Sequence, residues 1–227
     1  MIRVGCWEDV LAGVECDAVI CDPPYGGQTH ENSRAYGNAR EDGCSLEDLG
    51  PKYTAWSHAD VSAFVSSWSP RCRGWMLALT SHDLIPVWQA AYLAAGRYAF
   101  APIPCVMRGM SVRLGGDGPS SWAVYAMVAR PCTREFATWG TLPGAYVGVP
   151  SQEAGGGRGK PDWLMRALVR DYSRKGDLVV DPCAGWGSTL SAAIGLGRRA
   201  LGAEMDPVAA AEAVRRLARG SQTELTL

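Results

Sequence analysis

Short apolar runs and stretches with helical periodicity alternate along most of the chain. Five apolar runs have the length of strands: IRVG (2–5), DAVICD (17–22), WMLALT (75–80), DLVVD (177–181) and RALGAEMD (199–206). Helical patterns lie between and after them, at 7–13, 59–68, 82–96, 160–173, 188–197 and 207–220. This alternation predicts an α/β fold in which helices flank a mainly parallel sheet.

Two further apolar runs break the alternation. YAFAPIPCVMR (98–108) and SWAVYAMVAR (121–130) are separated by a glycine-rich loop without a helical pattern. Consecutive strands with no helix between them predict an antiparallel hairpin, so one strand of the sheet should run against the others. Residues 131–160 are rich in glycine and proline and show no period, and we expect a loop there.

Composition narrows the class of protein. The chain has 227 residues, 47% of them hydrophobic, which is enough for the core of one domain. No apolar run reaches the roughly 18 residues of a membrane span, and the N-terminus lacks a signal-peptide pattern. The eight cysteines form no C-x-x-C pair and the three histidines do not cluster, which argues against a zinc site and a disulfide framework. We expect a cytoplasmic protein without a membrane span or a metal ion.

Charge is unevenly distributed, although the net charge is only −1. Residues 97–175 carry eleven Lys and Arg against five Asp and Glu, whereas residues 26–60 carry three against six. The basic segment allows a polyanionic partner, and an ordinary solvated surface explains it equally well.

The run DAVICDPPYGG (17–27) ends in an acid, two prolines and a tyrosine. Prolines prevent the strand from continuing, and open α/β sheets place their binding residues at the carboxyl ends of strands. We therefore expect a rigid acid and an aromatic face at this strand end.

The run DLVVDPCAGWGSTLSAAIG (177–195) predicts a strand, a glycine turn and a helix. Gly185 and Gly187 would let the backbone approach a ligand, and Ser188 or Thr189 would cap the helix. Glu204 ends the next strand, where an acid usually binds ribose hydroxyls. Position 190 is leucine, so the full G-x-G-x-x-G is absent, and there is no P-loop. A nucleoside cofactor without phosphates, such as S-adenosylmethionine, is therefore favoured over a dinucleotide or ATP.

DPPY (22–25) together with DPCAGWGSTL (181–190) resembles the amino-methyltransferases of DNA, which act on exocyclic amines. The catalytic motif precedes the cofactor motif, which is similar to the circularly permuted beta group, and GKPDWL supplies that group's lysine–proline pair. The resemblance runs from about residue 2 to about residue 218. It implies a class I S-adenosylmethionine-dependent methyltransferase fold: a Rossmann-like, seven-stranded, mostly parallel sheet with one antiparallel strand, in a three-layer sandwich. We expect one methyltransferase domain over 1–227.

The resemblance implies catalytic roles for Asp22, Pro23, Pro24 and Tyr25. Asp22 and the Pro23 carbonyl would each accept one N–H of the target amine, and Tyr25 would stack on a base flipped out of the duplex. Asp181, Gly185 and Gly187 would border the methionine part of the cofactor. Lys160 would lie near its carboxylate and Glu204 on the ribose. The full set of implied cofactor contacts is Cys6, Trp7, Asp22, Lys160, Pro161, Asp181, Pro182, Cys183, Ala184, Gly185, Gly187, Ser188, Thr189, Glu204, Met205 and Asp206.

Three positions depart from the family pattern. Cys183 stands where phenylalanine is common, and Trp186 stands where serine is usual. Trp186 would pack on neighbouring helices or on the cofactor. Cys6 stands where an aspartate usually binds the adenine amine of the cofactor, and loss of that hydrogen bond would cost on the order of 1 kcal/mol of affinity.

The predicted target-recognition or lid loops are short: 26–60, 109–121 and 132–159. The first, with Tyr36, Tyr53 and Trp56, would be a lid that orders on DNA or a disordered surface loop. Phosphate contacts position DNA without specifying a sequence, so we expect a short or relaxed recognition site, as in small phage-type or orphan enzymes. The arginines available for such contacts are Arg108, Arg113, Arg130, Arg134 and Arg158.

The sequence therefore predicts methyl transfer from S-adenosylmethionine to the N6 amine of adenine in DNA. The partner would be double-stranded DNA with a flipped adenine, or single-stranded DNA, and a homodimer is left open. Cytosine-N4 methylation stays an alternative, although that group more often has serine in place of Asp22. A catalytically weak nucleic-acid-binding relative is the other alternative, suggested by Cys6 and Trp186. Carbon-5 methylation is disfavoured because Cys105 and Cys132 precede the cofactor motif and are predicted to be buried structural cysteines.

Overall fold

The computed structural model describes residues 1–27, 54–109, 122–150 and 159–223. The strands are β1 (Ile2–Val4), β2 (Ala18–Cys21), β3 (Met76–Thr80), β4 (Arg97–Ala99), β5 (Ile103–Met107), β6 (Ala123–Pro131), β7 (Tyr146–Gly148), β8 (Leu178–Asp181) and β9 (Arg199–Glu204). The α-helices are α1 (Trp7–Val10), α2 (His58–Trp68), α3 (Ile85–Ala94), α4 (Asp162–Tyr172), α5 (Ser188–Gly195) and α6 (Pro207–Thr223). Short 3₁₀ helices lie at His82–Leu84 and Arg134–Thr138.

The strands form one sheet in the order β1-β9-β8-β2-β3-β6-β5-β7, and β4 also pairs with β6. The first five are parallel to one another. β6 is antiparallel to β3, β4 and β5, whereas β7 is parallel to β5. Among the described strands, β6 is thus the one that runs against the rest, which confirms the predicted mostly parallel sheet with one antiparallel strand.

The chain connections diverge between two neighbouring strands, β8 and β2. From β8 the chain continues to β9 on one side, and from β2 it continues to β3 on the other. Such a switch point leaves a crevice at the carboxyl ends of the strands. β2 ends directly before Asp22, and β8 ends at Asp181. The two motifs that the sequence singles out therefore lie at adjacent strand ends.

Helices cover both faces of the sheet. Successive residues of a strand point to opposite faces. Val19 of β2 accordingly packs with α1, α2 and α3 in one buried cluster, and Ile20 packs with α4 and α5 in the other. The final helix, α6, packs against α5 and β1. The three-layer sandwich expected from the sequence is confirmed.

The sheet has two more strands, within the described residues, than the seven expected. The run 98–108 is not one strand: β4 and β5 flank residues 100–102 and both pair with β6. Pro102 has no N–H to give to the ladder, which explains the interruption. The expected loop at 131–160 contains β7, whose Tyr146 is buried and donates a hydrogen bond to Asp171 at 2.8 Å. A strand of three residues is too short to show a period in the sequence.

Large parts of the three predicted recognition loops fall outside the described residues: 28–53, 110–121 and 151–158, with Tyr36, Tyr53, Arg113 and Arg158. The end of the first loop is helical, because α2 begins at His58 after a capping box formed by Ser57 and Asp60. No helix in the described part of the chain has the length and hydropathy to cross a membrane.

Candidate active site

A cavity of about 460 Å³ opens at the carboxyl ends of β2, β8 and β9. Its volume lies in the usual range of small-ligand sites. Asp22, Pro23, Pro24 and Tyr25 line one side, and the glycine turn that follows Asp181 lines the other. The two corners, far apart in the sequence, therefore face the same space.

Both carboxylate oxygens of Asp22 have partners. The Lys160 Nζ lies 2.6 Å from Oδ2, and the Tyr25 hydroxyl donates to Oδ1 at 2.9 Å. Burial raises the pKa of Tyr25, and the charge of Asp22 raises it further, so the phenol stays a donor at neutral pH. These two bonds hold the carboxylate in one orientation at the cavity wall.

Backbone contacts hold the Asp22–Tyr25 corner on the hydrophobic core. The Trp56 N–H donates to the Tyr25 carbonyl at 3.1 Å, and the Gly26 N–H donates to the Ser81 hydroxyl at 3.2 Å. The Trp56 ring stacks on Trp88 of α3, with ring centroids 6.1 Å apart. The corner is thereby connected to the buried cluster of α2 and α3 and does not depend on the prolines alone.

Glu204 organises the opposite corner. Its side chain is 4% exposed, and its two oxygens accept the N–H groups of Gly185 and Asp206, both at 2.8 Å. A Cβ atom at Gly185 would meet no atom within 4 Å, so the turn leaves open space on the cavity side. A fixed acid beside an accessible turn suits the hydroxyls of a nucleoside.

Asp181 lies between the two corners and is 1% exposed. Burial raises the pKa of Asp181 to about 7, and the charges of Asp22 and Glu204 add to the rise. Hydrogen bonds from the Thr189 hydroxyl and the Cys183 N–H oppose it. The carboxyl therefore shapes the turn and titrates near neutral pH.

Most of the predicted cofactor residues reach the cavity. Those that line it are Trp7, Asp22, Lys160, Asp181, Pro182, Cys183, Ala184, Gly185, Ser188, Thr189, Glu204 and Met205. The predicted residues outside its lining are Cys6, Pro161, Gly187 and Asp206. Each of these four directly precedes a helix, and their contacts are those of helix starts. The Pro161 carbonyl accepts the Leu164 N–H at 3.0 Å, for example, and Asp206 Oδ1 accepts the Val208 N–H at 2.9 Å.

The glycine turn differs in two details from the sequence expectation. The N-cap of α5 is Gly187, so the predicted capping by Ser188 or Thr189 is wrong. The Ser188 hydroxyl accepts a bond from Arg216 at 3.1 Å instead. Gly187 has φ +76°, and a Cβ there would lie 2.9 Å from the Cβ of Ala213. The close approach that requires this glycine is therefore made by α6, and the ligand side of the turn belongs to Gly185.

Five lining residues belonged to neither the predicted cofactor set nor the predicted catalytic set: Trp56, Gly159, Met165, Trp186 and Ala203. Ala203 directly precedes Glu204, and Met165 lies one helical turn beyond Pro161, so spacing could have indicated both. Trp56 was assigned to a lid, and Trp186 was left between helix packing and the cofactor. Trp7, which was in the predicted cofactor set, packs edge-on against Phe64 with ring centroids 5.4 Å apart, so it forms a rigid part of the cavity wall.

The predicted phosphate-binding arginines do not share one surface. Arg108 is exposed and follows β5, at the same edge of the sheet as the cavity. β6 runs antiparallel to β5, so Arg130, which is paired with Tyr98 of β4, lies near the opposite edge. Arg134 follows Arg130 along the chain. The Arg130 guanidinium lies 4.8 Å from the centre of the Tyr98 ring. Phosphate binding stays a prediction, and the topology separates Arg130 and Arg134 from the cavity.

The cysteines considered for carbon-5 chemistry lie outside the cavity lining. Cys105 is fully buried in β5, and burial raises its pKa to about 12, which keeps the thiol protonated. Cys132 is exposed, so its predicted burial is wrong, and it follows β6 away from the cavity edge. Neither cysteine is placed to attack a base held at Asp22.

Several solved structures share this fold. M1.HpyAVI, solved as a complex with SAM, has 17% sequence identity and a TM-score of 0.69, and the alignment covers 96% of this chain and 98% of that one. TTHA0409 of Thermus thermophilus, assigned provisionally as a DNA modification methylase and solved with S-adenosyl-L-methionine, has 23% identity, coverage of 96% and 93%, and a TM-score of 0.62. The cytosine-N4-specific PvuII DNA methyltransferase has 14% identity, coverage of 95% and 85%, and a TM-score of 0.65. At these identities the likeness concerns the fold.

The family model for N6 and N4 methyltransferases, described as DNA methylase, matches residues 152–215. This segment contains Lys160, the glycine turn that follows Asp181, and Glu204. No curated protein matches the sequence significantly. The fold is that of the class I S-adenosylmethionine-dependent methyltransferases. Residues 152–215 are thus similar to the amino-methyltransferases of DNA, and the chain as a whole shares the fold of the solved DNA methyltransferases.

Proposed function

We propose that this protein transfers a methyl group from S-adenosylmethionine to the exocyclic N6 amine of adenine in DNA. The observation that carries the proposal is the shared cavity, in which the Asp22–Tyr25 corner lines one side and the glycine turn with Glu204 lines the other. A target amine bound beside Asp22 and a methyl donor bound beside Glu204 would then share one cavity.

The residues of the cavity fit the cofactor by charge and shape. Three carboxylates line it, Asp22, Asp181 and Glu204, which complements the positive sulfonium and ammonium groups of S-adenosylmethionine. Glu204 would hold the ribose and the Gly185 turn would lie along the methionine part. Trp7 offers an aromatic wall near the place where the family's usual aspartate is replaced by Cys6. When bound, the cofactor supplies a sulfonium methyl carbon that is already activated for transfer.

Asp22 supplies the acceptor that an exocyclic amine requires. The amine lone pair is delocalised into the base, which makes the nitrogen a poor nucleophile. Acceptance of one N–H by Asp22 and one by the Pro23 carbonyl would favour a tetrahedral nitrogen and localise the lone pair. The bound cofactor would supply the methyl group, with its sulfur as the leaving group, and Asp22 would hold the N–H proton that the nitrogen gives up when the new bond forms. The orientation of Asp22 by Tyr25 reduces the positional freedom lost at this step.

Adenine is proposed over cytosine because the acceptor position holds aspartate. Relatives that act on the N4 amine of cytosine more often have serine there. Both bases present an exocyclic amine, so the chemistry at Asp22 is the same and only the shape of the base differs. The product therefore has to be identified directly.

The proposal is tested by incubating the purified protein with labelled S-adenosylmethionine and unmodified DNA, followed by mass spectrometry of the nucleosides. N6-methyladenine is the expected product. N4-methylcytosine would move the protein to the cytosine group. Binding of cofactor and DNA without incorporation into either base would overturn the methyltransferase function in favour of a binding role.

Asp22→Ala provides the matched test of mechanism. We expect the variant to lose turnover while it still binds S-adenosylhomocysteine, because Asp22 acts on the target amine. Glu212→Gln is the control, since Glu212 lies on α6, outside the cavity lining, and pairs with Arg215. Equal loss of turnover and of ligand binding in a calorimetric titration would contradict the role given to Asp22.

A further inference from the structure

Lys160 holds the position that the proposed function gives to the target amine. Its Nζ lies 2.6 Å from Asp22 Oδ2, so an N–H donor already occupies that carboxylate oxygen. The same nitrogen lies 4.8 Å from the centre of the Tyr25 ring. The acceptor and one face of the stacking ring are thus engaged by the protein itself.

The contact is formed by distant parts of the chain. Lys160 lies 138 positions beyond Asp22 and directly precedes the N-cap of α4. The two side chains are 18% and 28% exposed, so the ion pair is partly shielded from solvent. Pairs of this kind persist in water more than fully exposed pairs do. The four-carbon stem of lysine nevertheless lets the charged group move to another anion.

The cavity offers few partners for an anionic ligand group. Among the described residues that line it, Lys160 is the only Lys or Arg, and three acidic residues share the lining: Asp22, Asp181 and Glu204. A ligand with a carboxylate must therefore compete with Asp22 for the same cation. A ligand without a carboxylate leaves the Lys160–Asp22 pair undisturbed.

We propose that Lys160 is a shared cation: it pairs with Asp22 in the ligand-free protein and turns to the carboxylate of the bound cofactor. This inference rests on the proposed function and adds an order of events to it. Cofactor binding removes the lysine from Asp22 Oδ2 and from the Tyr25 ring, which frees that side of the carboxylate for the N–H of a base. Lys160 therefore couples the two halves of the site, so that the target amine is accepted when the methyl donor is present.

The test compares two ligands by calorimetry. S-adenosylhomocysteine carries the carboxylate, and S-adenosyl-3-thiopropylamine keeps the adenosine, sulfur and ammonium groups but lacks it. The measured quantity is the ratio of the two affinities, which cancels effects common to both ligands. In Asp22→Asn the lysine no longer pairs with a charge, and we expect the ratio to rise about fivefold in favour of S-adenosylhomocysteine, or about 1 kcal/mol.

A second variant, Lys160→Met, completes a double-mutant cycle with Asp22→Asn. In Lys160→Met the ratio should fall, and addition of Asp22→Asn to that variant should leave it unchanged. Urea denaturation of each variant verifies folding. In the wild-type protein, S-adenosylhomocysteine should also shift the ¹³Cε NMR resonance of Lys160, assigned by its loss in Lys160→Met, whereas the decarboxylated ligand should not. The Lys175 resonance is the control, because Lys175 lies outside the cavity lining.

The outcomes separate the inference from the function on which it rests. If both ligands bind and Asp22→Asn leaves the ratio at its wild-type value, the shared cation is overturned and the proposed function stands. If neither ligand binds the wild-type protein, the proposed function fails and the inference fails with it. A raised ratio that persists in the Lys160→Met background would also overturn the inference, because another group would then carry the coupling.

Discussion

Gly187→Ala tests why the cofactor corner requires a glycine at this position. Gly187 has φ +76°, and a new Cβ would lie 2.9 Å from the Cβ and 3.3 Å from the Cα of Ala213 on α6. The left-handed backbone costs an L-residue about 1–2 kcal/mol. Overpacking against a neighbouring helix costs about 1–3 kcal/mol more. We therefore expect the free energy of unfolding to fall by about 2–5 kcal/mol.

Gly96→Ala is the matched control. Gly96 ends the α3 region with φ +71°, but a Cβ there would meet no atom within 4 Å. This variant should lose only the backbone contribution of about 1–2 kcal/mol. Urea denaturation followed by circular dichroism measures both changes, and equal slopes against urea would show that the unfolded states are comparable. Equal losses in the two variants would refute the assignment of Gly187 to contact with α6.

Ligand binding supplies the second readout. Gly185→Ala places its Cβ in open space at the cavity, so we expect it to weaken binding of S-adenosylhomocysteine while it loses only the backbone contribution to stability. Gly187→Ala, titrated under conditions where it is folded, should bind the ligand with nearly wild-type affinity. A Gly187→Ala protein of normal stability that no longer binds would show that the ligand, and not α6, requires this glycine.

Three further predictions concern buried or hydrogen-bonded groups of the same structure. The pKa of Asp181 is raised to about 7, against about 4 in an unfolded chain, so its contribution to stability is complete below about pH 4 and is lost as the pH rises through 7. Asp181→Asn should therefore lose less stability than the wild type between about pH 5 and pH 8 in urea titrations, and parallel curves would contradict the shift. Tyr25→Phe removes the donor to Asp22 Oδ1, and methyl incorporation should fall about tenfold or more, since hydrogen bonds to charged groups contribute about 1.5–3 kcal/mol; an unchanged rate would exclude that role. Arg97 is 4% exposed and donates to the carbonyls of Ser69, Cys72 and Gly74, so Arg97→Met should lower the free energy of unfolding by about 3 kcal/mol or more, with only partial recovery in Arg97→Lys; a surface-like loss of a few tenths would refute this.

Local pattern was sufficient for the parallel strands β1, β2, β3, β8 and β9 and for the helices between them. The apolar runs at 17–22 and 177–181 became β2 and β8 because each is short, apolar and closed by proline. The predicted helix at 82–96 is a 3₁₀ helix (His82–Leu84) followed by α3, which ends at Ala94, and Gly96 with φ +71° closes the turn after it. The parallel arrangement then follows from the helices between the strands, and it brings the carboxyl ends to one edge. The sequence therefore determined the fold class and the edge at which the site lies.

Side-chain partners were decided only by the tertiary structure. Lys160 was expected near a ligand carboxylate, and it pairs with Asp22. Gly187 was expected to face a ligand, and it faces Ala213. Arg108 and Arg130 were both considered for phosphate contacts, and the antiparallel course of β6 places them at opposite ends of the strands.

The physical reason is the range of each interaction. Strand and helix patterns arise from residues within a few positions of one another, so a local window contains them. An ion pair across 138 positions, or a helix packed on a glycine 26 positions before it, exists only once the sheet has formed and its layers have closed. Residue types at strand ends thus predicted which groups meet in the cavity, and packing decided which atoms of those groups bind one another.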